Sequence, residues 1–384
     1  PAAICHLART MKHTPTTLWK PLVLLALALL AFAGCNEPDR PLPLDPKIVT
    51  GKLDNGLTYY VRQNPKPKDR LELRLVVKAG SILEDDDQQG LAHFLEHMAF
   101  NGTENFGRQQ LVDYLESIGM RFGPELNAYT SFDETVYRLQ VPTTGTNMVE
   151  NGFRILRDWA FGISNANDEI KRERGVVIEE WRLGRGAQQR IRDRLFPVLF
   201  QGSKYARRLP IGKKEVLEGF QSDRLRDFYR AWYRPDLMAV IAIGDMDAAA
   251  LKASIQKHFA AAPGRKEAPE RAISPVPDHA ETLVCAVTDK EATQSSVSLY
   301  IKCASETTTT LADYRRDLLT SLAVGMLTDR LDELRQKPDA PFLSAGASRQ
   351  GLVLSKDSFS LHAQVKDNGF LRGLEAIFTE AGRV

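Results

Sequence analysis

At 384 residues the chain is long enough for two domains. With 43% hydrophobic and 26% charged residues it can bury a large core, which argues against a disordered or fibrous protein. Its 51 basic and 49 acidic residues leave a formal net charge of +2, too small to point to nucleic acid or a strongly acidic partner.

The sequence opens without methionine, and Met11 is the expected start. From there Lys12 and Lys20 precede an apolar run, Leu22 to Ala33. That run is too short to cross roughly 30 Å of hydrocarbon and fits the core of a secretory signal. It ends in "AFAGC", which resembles the lipobox of bacterial lipoproteins, with Phe32 where leucine is usual. The resemblance implies a lipid on Cys35 and a periplasm-facing protein of the cell envelope held to a membrane by that lipid. An uncleaved anchor or an ordinary signal peptide is the alternative. Residues 1–35 are thus expected to be a signal, and "NEPDRPLPLDPK" at 36–47 a proline-rich tether.

A first domain is expected over 48–260. In "KLDNGLTYYVRQN", Asn55-Gly56 predicts a tight hairpin turn and "TYYVRQ" the returning strand. "RLELRLVV" alternates Leu71, Leu73, Leu75 and Val77, the period of a half-buried strand. "GLAHFLEHMAF" predicts a helix, and "GRQQLVDYLESIGM" a second one with Leu111, Leu115 and Ile118 on one face. "LNAYTSFDETVYRLQVP" predicts two strands around Asp133-Glu134. Helices are expected near 145–160 and over 167–183, then a strand in "MAVIAIGDMD" and a helix in "AAALKASIQKHF". The order lacks a regular βαβ rhythm, so the fold class is α+β with a largely antiparallel sheet.

The proline- and charge-rich stretch 261–281 reads as a linker. Beyond it "SVSLYIKCAS" repeats "LELRLVVKAGS" at one offset, pairing Leu75 with Leu299 and Val77 with Ile301. A helix follows in both, and then a pair of strands. Residues 282–384 are therefore expected to be a second, homologous domain without the ionisable residues described next, shorter than the first, as in a fragment of a longer chain. Cys285 and Cys303 lie in apparent strands there; a disulfide and two buried thiols are both open.

On a helix at about 100° per residue, Leu91, Phe94, Leu95 and Met98 fall on one side of "LAHFLEHM". His93, Glu96 and His97 fall on the other. Two imidazoles one turn apart suit zinc, and a carboxylate beside its water suits a general base. The order His-x-x-Glu-His is the inverse of the common zincin motif. A catalytic zinc site needs a third protein ligand. In "NDEIKRERGVVIEEWRLGRG", Glu169, Glu173 and Glu180 share one helical stripe, and Glu179 lies about 100° off it. Glu180 is chosen as ligand and Glu173 as the acid that orients the site; the alternative is that these acids pair with neighbouring arginines.

"HFLEH" followed by "ERGVVIEEWR" resembles the insulinase/pitrilysin family of zinc metallopeptidases, as do "LDNGLTYYV" and "LNAYTSFDETVY". The resemblance covers about residues 48–384. It implies His93, His97 and Glu180 as ligands of one Zn2+ in the catalytic domain, Glu96 as base and Glu173 as supporting acid. It also implies tandem metallopeptidase-type domains, the second metal-free, forming half of a chamber around peptides. Asn127 and Ala128 would hold the peptide on a strand edge; the equal alternative is an ordinary strand. The family's second half usually supplies an arginine and a tyrosine for substrate, and no place for them is found here. Two functions follow: an endopeptidase of the cell envelope, completed by a second half in a longer chain or a partner subunit, or a non-catalytic peptide-binding subunit. The 82 residues between His97 and Glu180 exceed the family's usual spacing, which suggests an inserted loop near "PTTGTNM" or "FGISNAND".

Overall fold

The computed structural model of the protein describes residues 40–120, 126–264 and 268–384. The expected signal with Cys35, and the start of the tether, lie outside the described residues. The elements in chain order are β1 (Ile48–Lys52), β2 (Thr58–Gln63), β3 (Arg70–Val77), α1 (Leu91–Met98), α2 (Arg108–Ser117), β4 (Leu126–Thr130), β5 (Thr135–Pro142), α3 (Thr146–Phe161), α4 (Asn167–Leu183), α5 (Ala187–Leu199), α6 (Lys214–Gly219), α7 (Ser222–Trp232), β6 (Met238–Gly244), α8 (Ala248–Phe259), β7 (Ser295–Ala304), α9 (Leu311–Arg335), β8 (Ser344–Val353), β9 (Lys356–Val365) and α10 (Phe370–Ala381). They form two compact units, Leu44–Arg185 with Phe200–Ser274, and Gly186–Leu199 with Pro275–Val384 and residues 40–43. No helix of the described residues is long and apolar enough to cross a membrane.

In the first unit six strands lie in the order β1-β2-β6-β3-β5-β4. Every pairing is antiparallel except β2 with β6. The sheet is thus mixed rather than purely antiparallel: the apolar run "MAVIAIG" closes the gap between β2 and β3 long after both in sequence. Leu71, Leu73, Leu75 and Val77 are fully buried, each contributing roughly 1.5–3 kcal/mol of hydrophobic stabilisation. The other face of β3 and β5 carries charge. Arg74 and Arg138 stand opposite each other, and Glu72 accepts a hydrogen bond from both, at 3.1 and 2.6 Å. Helices therefore cover one face. Trp159 of α3 stacks on Tyr137 of β5 at 5.3 Å and donates to the Ala99 carbonyl at the end of α1. The interval between α1 and α4 is filled by α2, β4, β5 and α3, with only short connections at 143–145 and 162–166, so neither holds the expected inserted loop.

The second unit repeats the plan. Its strands lie in the order β7-β9-β8, antiparallel throughout, as β3, β5 and β4 do. A helix follows the first strand and another follows the hairpin in both units. The offset relating Leu75 to Leu299 also relates Val141 to Val365, and each valine meets a helix glycine: Gly152 of α3, where a Cβ would come within 3.3 Å, and Gly373 of α10, within 2.5 Å. Glycine is needed there because helix and sheet approach too closely for a side chain. Leu327, Leu331, Phe342, Leu361, Ala363, Val365 and Ile377 form the core. Cys285 and Cys303 are free. Cys303 lies in β7, but Cys285 lies in irregular backbone rather than a strand, since no strand among the described residues pairs with it. The architecture is α+β with two domains of one type.

Candidate metal centre

The ionisable stripe depends on how α1 begins. Gly90 precedes the helix with φ +102°, a left-handed conformation that side chains rarely adopt. The Glu84 carboxyl group then caps the buried N–H groups at the start of the helix, accepting from Gly90 N at 3.0 Å and Ala92 N at 2.8 Å. Glu84 is fully buried, and burial pushes its pKa up to about 8. Arg208, itself buried, ties the same loop down by donating to Glu84 O and Asp86. Leu91, Phe94, Leu95 and Met98 anchor the helix, all fully buried.

Opposite that anchor the two imidazoles turn their Nε2 atoms together, 3.3 Å apart. Glu180 reaches in from α4. Its carboxylate oxygens lie 3.2 Å from His97 Nε2 and 3.6 Å from His93 Nε2. Donor atoms bound to one tetrahedral ion at about 2.0–2.1 Å stand about 3.3 Å from each other, so these separations fit a zinc-sized cation. The His93 Nδ1 atom is buried and has no hydrogen-bond partner among the described residues. Among the described residues, His93, His97 and Glu180 are the one group of three His, Cys, Asp or Glu side chains close enough to hold a metal.

Glu173 stands behind His97. It accepts from Nδ1 of His97 at 2.8 Å and from Asn101 Nδ2 at 2.7 Å. With Nδ1 so engaged, Nε2 is the nitrogen that faces His93 and Glu180, and it would offer its lone pair once a metal displaced its proton, the arrangement seen around metal-binding histidines. Burial opposes ionisation of both His97 and Glu173. The hydrogen bonds outweigh it, holding His97 up to about 9 and Glu173 below the usual carboxylate range. His93 is driven the other way, down to about 4, by burial and then by the neighbouring His97 charge. The hydrogen bond from His97 also lowers the Glu180 pKa.

Glu96 is buried at 8% exposure, and that burial raises its pKa. Its Oε2 accepts from the Thr130 hydroxyl at 2.6 Å. Asn127 and Ala128 lie on β4, at the open edge of the sheet. Together with Glu96, His97, Phe100, Arg108 and Val112 they line a cavity of about 410 Å³. The Ala128 N–H donates to the Asn127 side chain at 2.8 Å. Ser131 N bonds Glu134 O, so by the alternation of the ladder the Ala128–Tyr137 pair is not hydrogen-bonded and the Ala128 N–H points off the sheet. The remaining acids take the alternative role: Glu169 pairs with Arg172 and Arg108, and Glu179 pairs with Arg182. Thr130, Asn101 and Glu84 went unread in the sequence. Thr130 alone had a signal, two residues from Ala128 on the same strand face.

Residues 59–209 match the family model of insulinase (peptidase family M16), and residues 219–384 match that of the peptidase M16 inactive domain. Over 304 residues the chain is 38% identical to the zinc protease PQQL-like of Arabidopsis thaliana, covering 79% of this chain and 32% of that one. Over 361 residues it is 34% identical to the probable zinc protease PqqL of Haemophilus influenzae, covering 93% and 39%. The crystal structure of the first half of the periplasmic protease PqqL from Escherichia coli matches with a TM-score of 0.79 at 31% identity, covering 88% of this chain and 73% of that one. The chain spans 32% and 39% of the length of these two curated relatives. With both of its domains matched and its fold shared, the chain belongs to the insulinase family of peptidases.

Proposed function

We propose that this chain is the zinc-binding part of an endopeptidase that hydrolyses peptides or small unfolded proteins in the cell envelope. The observation that supports it most is the meeting of two Nε2 atoms and one carboxylate at tetrahedral spacing. His93, His97 and Glu180 would hold one zinc. When bound, zinc supplies Lewis acidity, lowering the pKa of water and polarising a carbonyl. Glu96 takes the proton from the attacking water and returns it to the leaving amine. Burial makes it a better base than an exposed glutamate. Glu173 fixes the His97 tautomer by accepting its Nδ1 proton.

The open edge of β4 holds the substrate extended through backbone hydrogen bonds at Asn127 and Ala128, a mode largely indifferent to sequence. Ala128→Pro removes the donor that points off the sheet, in an edge position where proline is tolerated. KM should rise about five- to tenfold, the worth of one hydrogen bond, with kcat nearly unchanged; an unaltered KM would remove Ala128 from the substrate site. A second family half, in a longer chain or a partner subunit, completes the chamber. Lipidation of Cys35 ties it to a membrane surface, in keeping with the periplasmic location of the Escherichia coli protease it resembles.

The test is metal content together with cleavage. Purified together with its second half, the chain should carry one zinc, cleave a quenched peptide, lose both on chelation and regain both with zinc. Peptide binding without zinc or cleavage would replace this reading by a non-catalytic binding subunit.

A further inference from the structure

We infer that Thr130 is the positioning residue for Glu96, fixing the base from the strand whose open edge faces the substrate. This rests on the peptidase reading above. A carboxylate on a helix can rotate, and a base is effective only when one oxygen is held toward the water it deprotonates. Glu96 is held through Oε2 by the Thr130 hydroxyl at 2.6 Å, a length typical of a charge-assisted bond. Oε1 is thereby the oxygen left for chemistry.

A second threonine lies beneath the same hydroxyl. Thr135 stands opposite Thr130 in the register of β4 and β5, with its Oγ1 3.3 Å away. Thr135 gives its one proton to the Ala79 carbonyl at 2.9 Å, so it faces Thr130 as an acceptor. Deeper in the core the Tyr233 hydroxyl lies 2.8 Å from that of Tyr137, both tyrosines being buried. Thr130 has one proton and two acceptors, and the nearer, charged one is Glu96. Ala128 lies two residues earlier on the same face of β4. Substrate pairing along that edge and the grip on the base are therefore built into five consecutive residues.

Thr130→Val keeps the shape and removes the donor; Thr130→Ser keeps the donor. Thr130→Val should retain one zinc per chain and bind a peptide within twofold of wild type, measured in a Glu96→Gln background. It should lose about 10- to 100-fold in kcat with KM little changed, and Thr130→Ser should recover to within threefold. A readout independent of metal and activity is the urea midpoint of zinc-free protein. Thr130→Val should shift it in the wild type and shift it much less when Glu96 is already Ala, since residues in direct contact are non-additive. Wild-type kcat in Thr130→Val, equal loss in Thr130→Ser, or additive midpoint shifts would overturn the inference. If Glu96→Gln alone leaves cleavage intact, the peptidase reading fails, whatever the midpoints show.

Discussion

Glu96→Gln should retain one zinc per chain and lose about 10²- to 10⁴-fold in kcat, the usual worth of a positioned acid–base group. The substitution is close to isosteric. The Gln carbonyl can still accept the Thr130 hydroxyl, but its amide cannot take a proton from water. Zinc should stay because the three converging donor groups belong to other residues. The variant should also be at least as stable as wild type. Burial raises the Glu96 pKa above its unfolded value, so ionising it costs the folded state as pH rises through that window, and a neutral side chain escapes the cost. Metal analysis, peptide turnover and thermal unfolding at neutral pH check all three points. Loss of zinc, or a large fall in melting temperature, would mean that Glu96 is structural rather than catalytic.

What could be read from the sequence was local or periodic. The alternation of Leu71, Leu73, Leu75 and Val77 reports a strand because side chains on a strand change face at every step. The two faces of "LAHFLEHM" are legible for the same kind of reason, at a period of 3.6. The seven-residue step from Glu173 to Glu180 put both on one stripe, and both reach the histidines. The repeat was visible because one offset serves both sheets. The insertion of β6 between β2 and β3 was not legible, since strand pairing across such a span leaves no periodic mark. The same holds for the chain Glu96–Thr130–Thr135 and for Asn101 behind Glu173. Each is a polar residue whose role exists only once two distant segments touch. Glu84 is the clearest case: in sequence an acid among acids before α1, in space a buried cap on the helix that carries the stripe.

Glu180→Ala should abolish tight zinc binding while Glu179→Ala leaves it unchanged, and this pair decides which of two adjacent glutamates serves the metal. On a helix they point about 100° apart. Glu179 turns outward, 56% exposed, and accepts from Arg182 at 2.8 Å, an i,i+3 contact worth roughly 0.2–0.5 kcal/mol. Its loss should barely move the melting temperature and leave zinc and cleavage intact. Glu180 turns toward the histidines and is about half exposed, 3.2 Å from His97 Nε2. Its removal also costs little stability, because no core packing depends on it, yet it takes away the one anionic donor of the three. Two neutral imidazoles remain, without the charge that offsets a divalent ion. The fall in affinity should therefore exceed the roughly 10- to 100-fold expected for Glu173→Ala, which removes only the partner behind His97. A competition titration against a chromophoric chelator ranks the three variants. An equal loss in Glu179→Ala and Glu180→Ala would show that α4 meets the metal in another register. Tight zinc in Glu180→Ala would assign the third ligand to another residue, and the order Glu180, then Glu173, then Glu179 is the one this helix geometry requires.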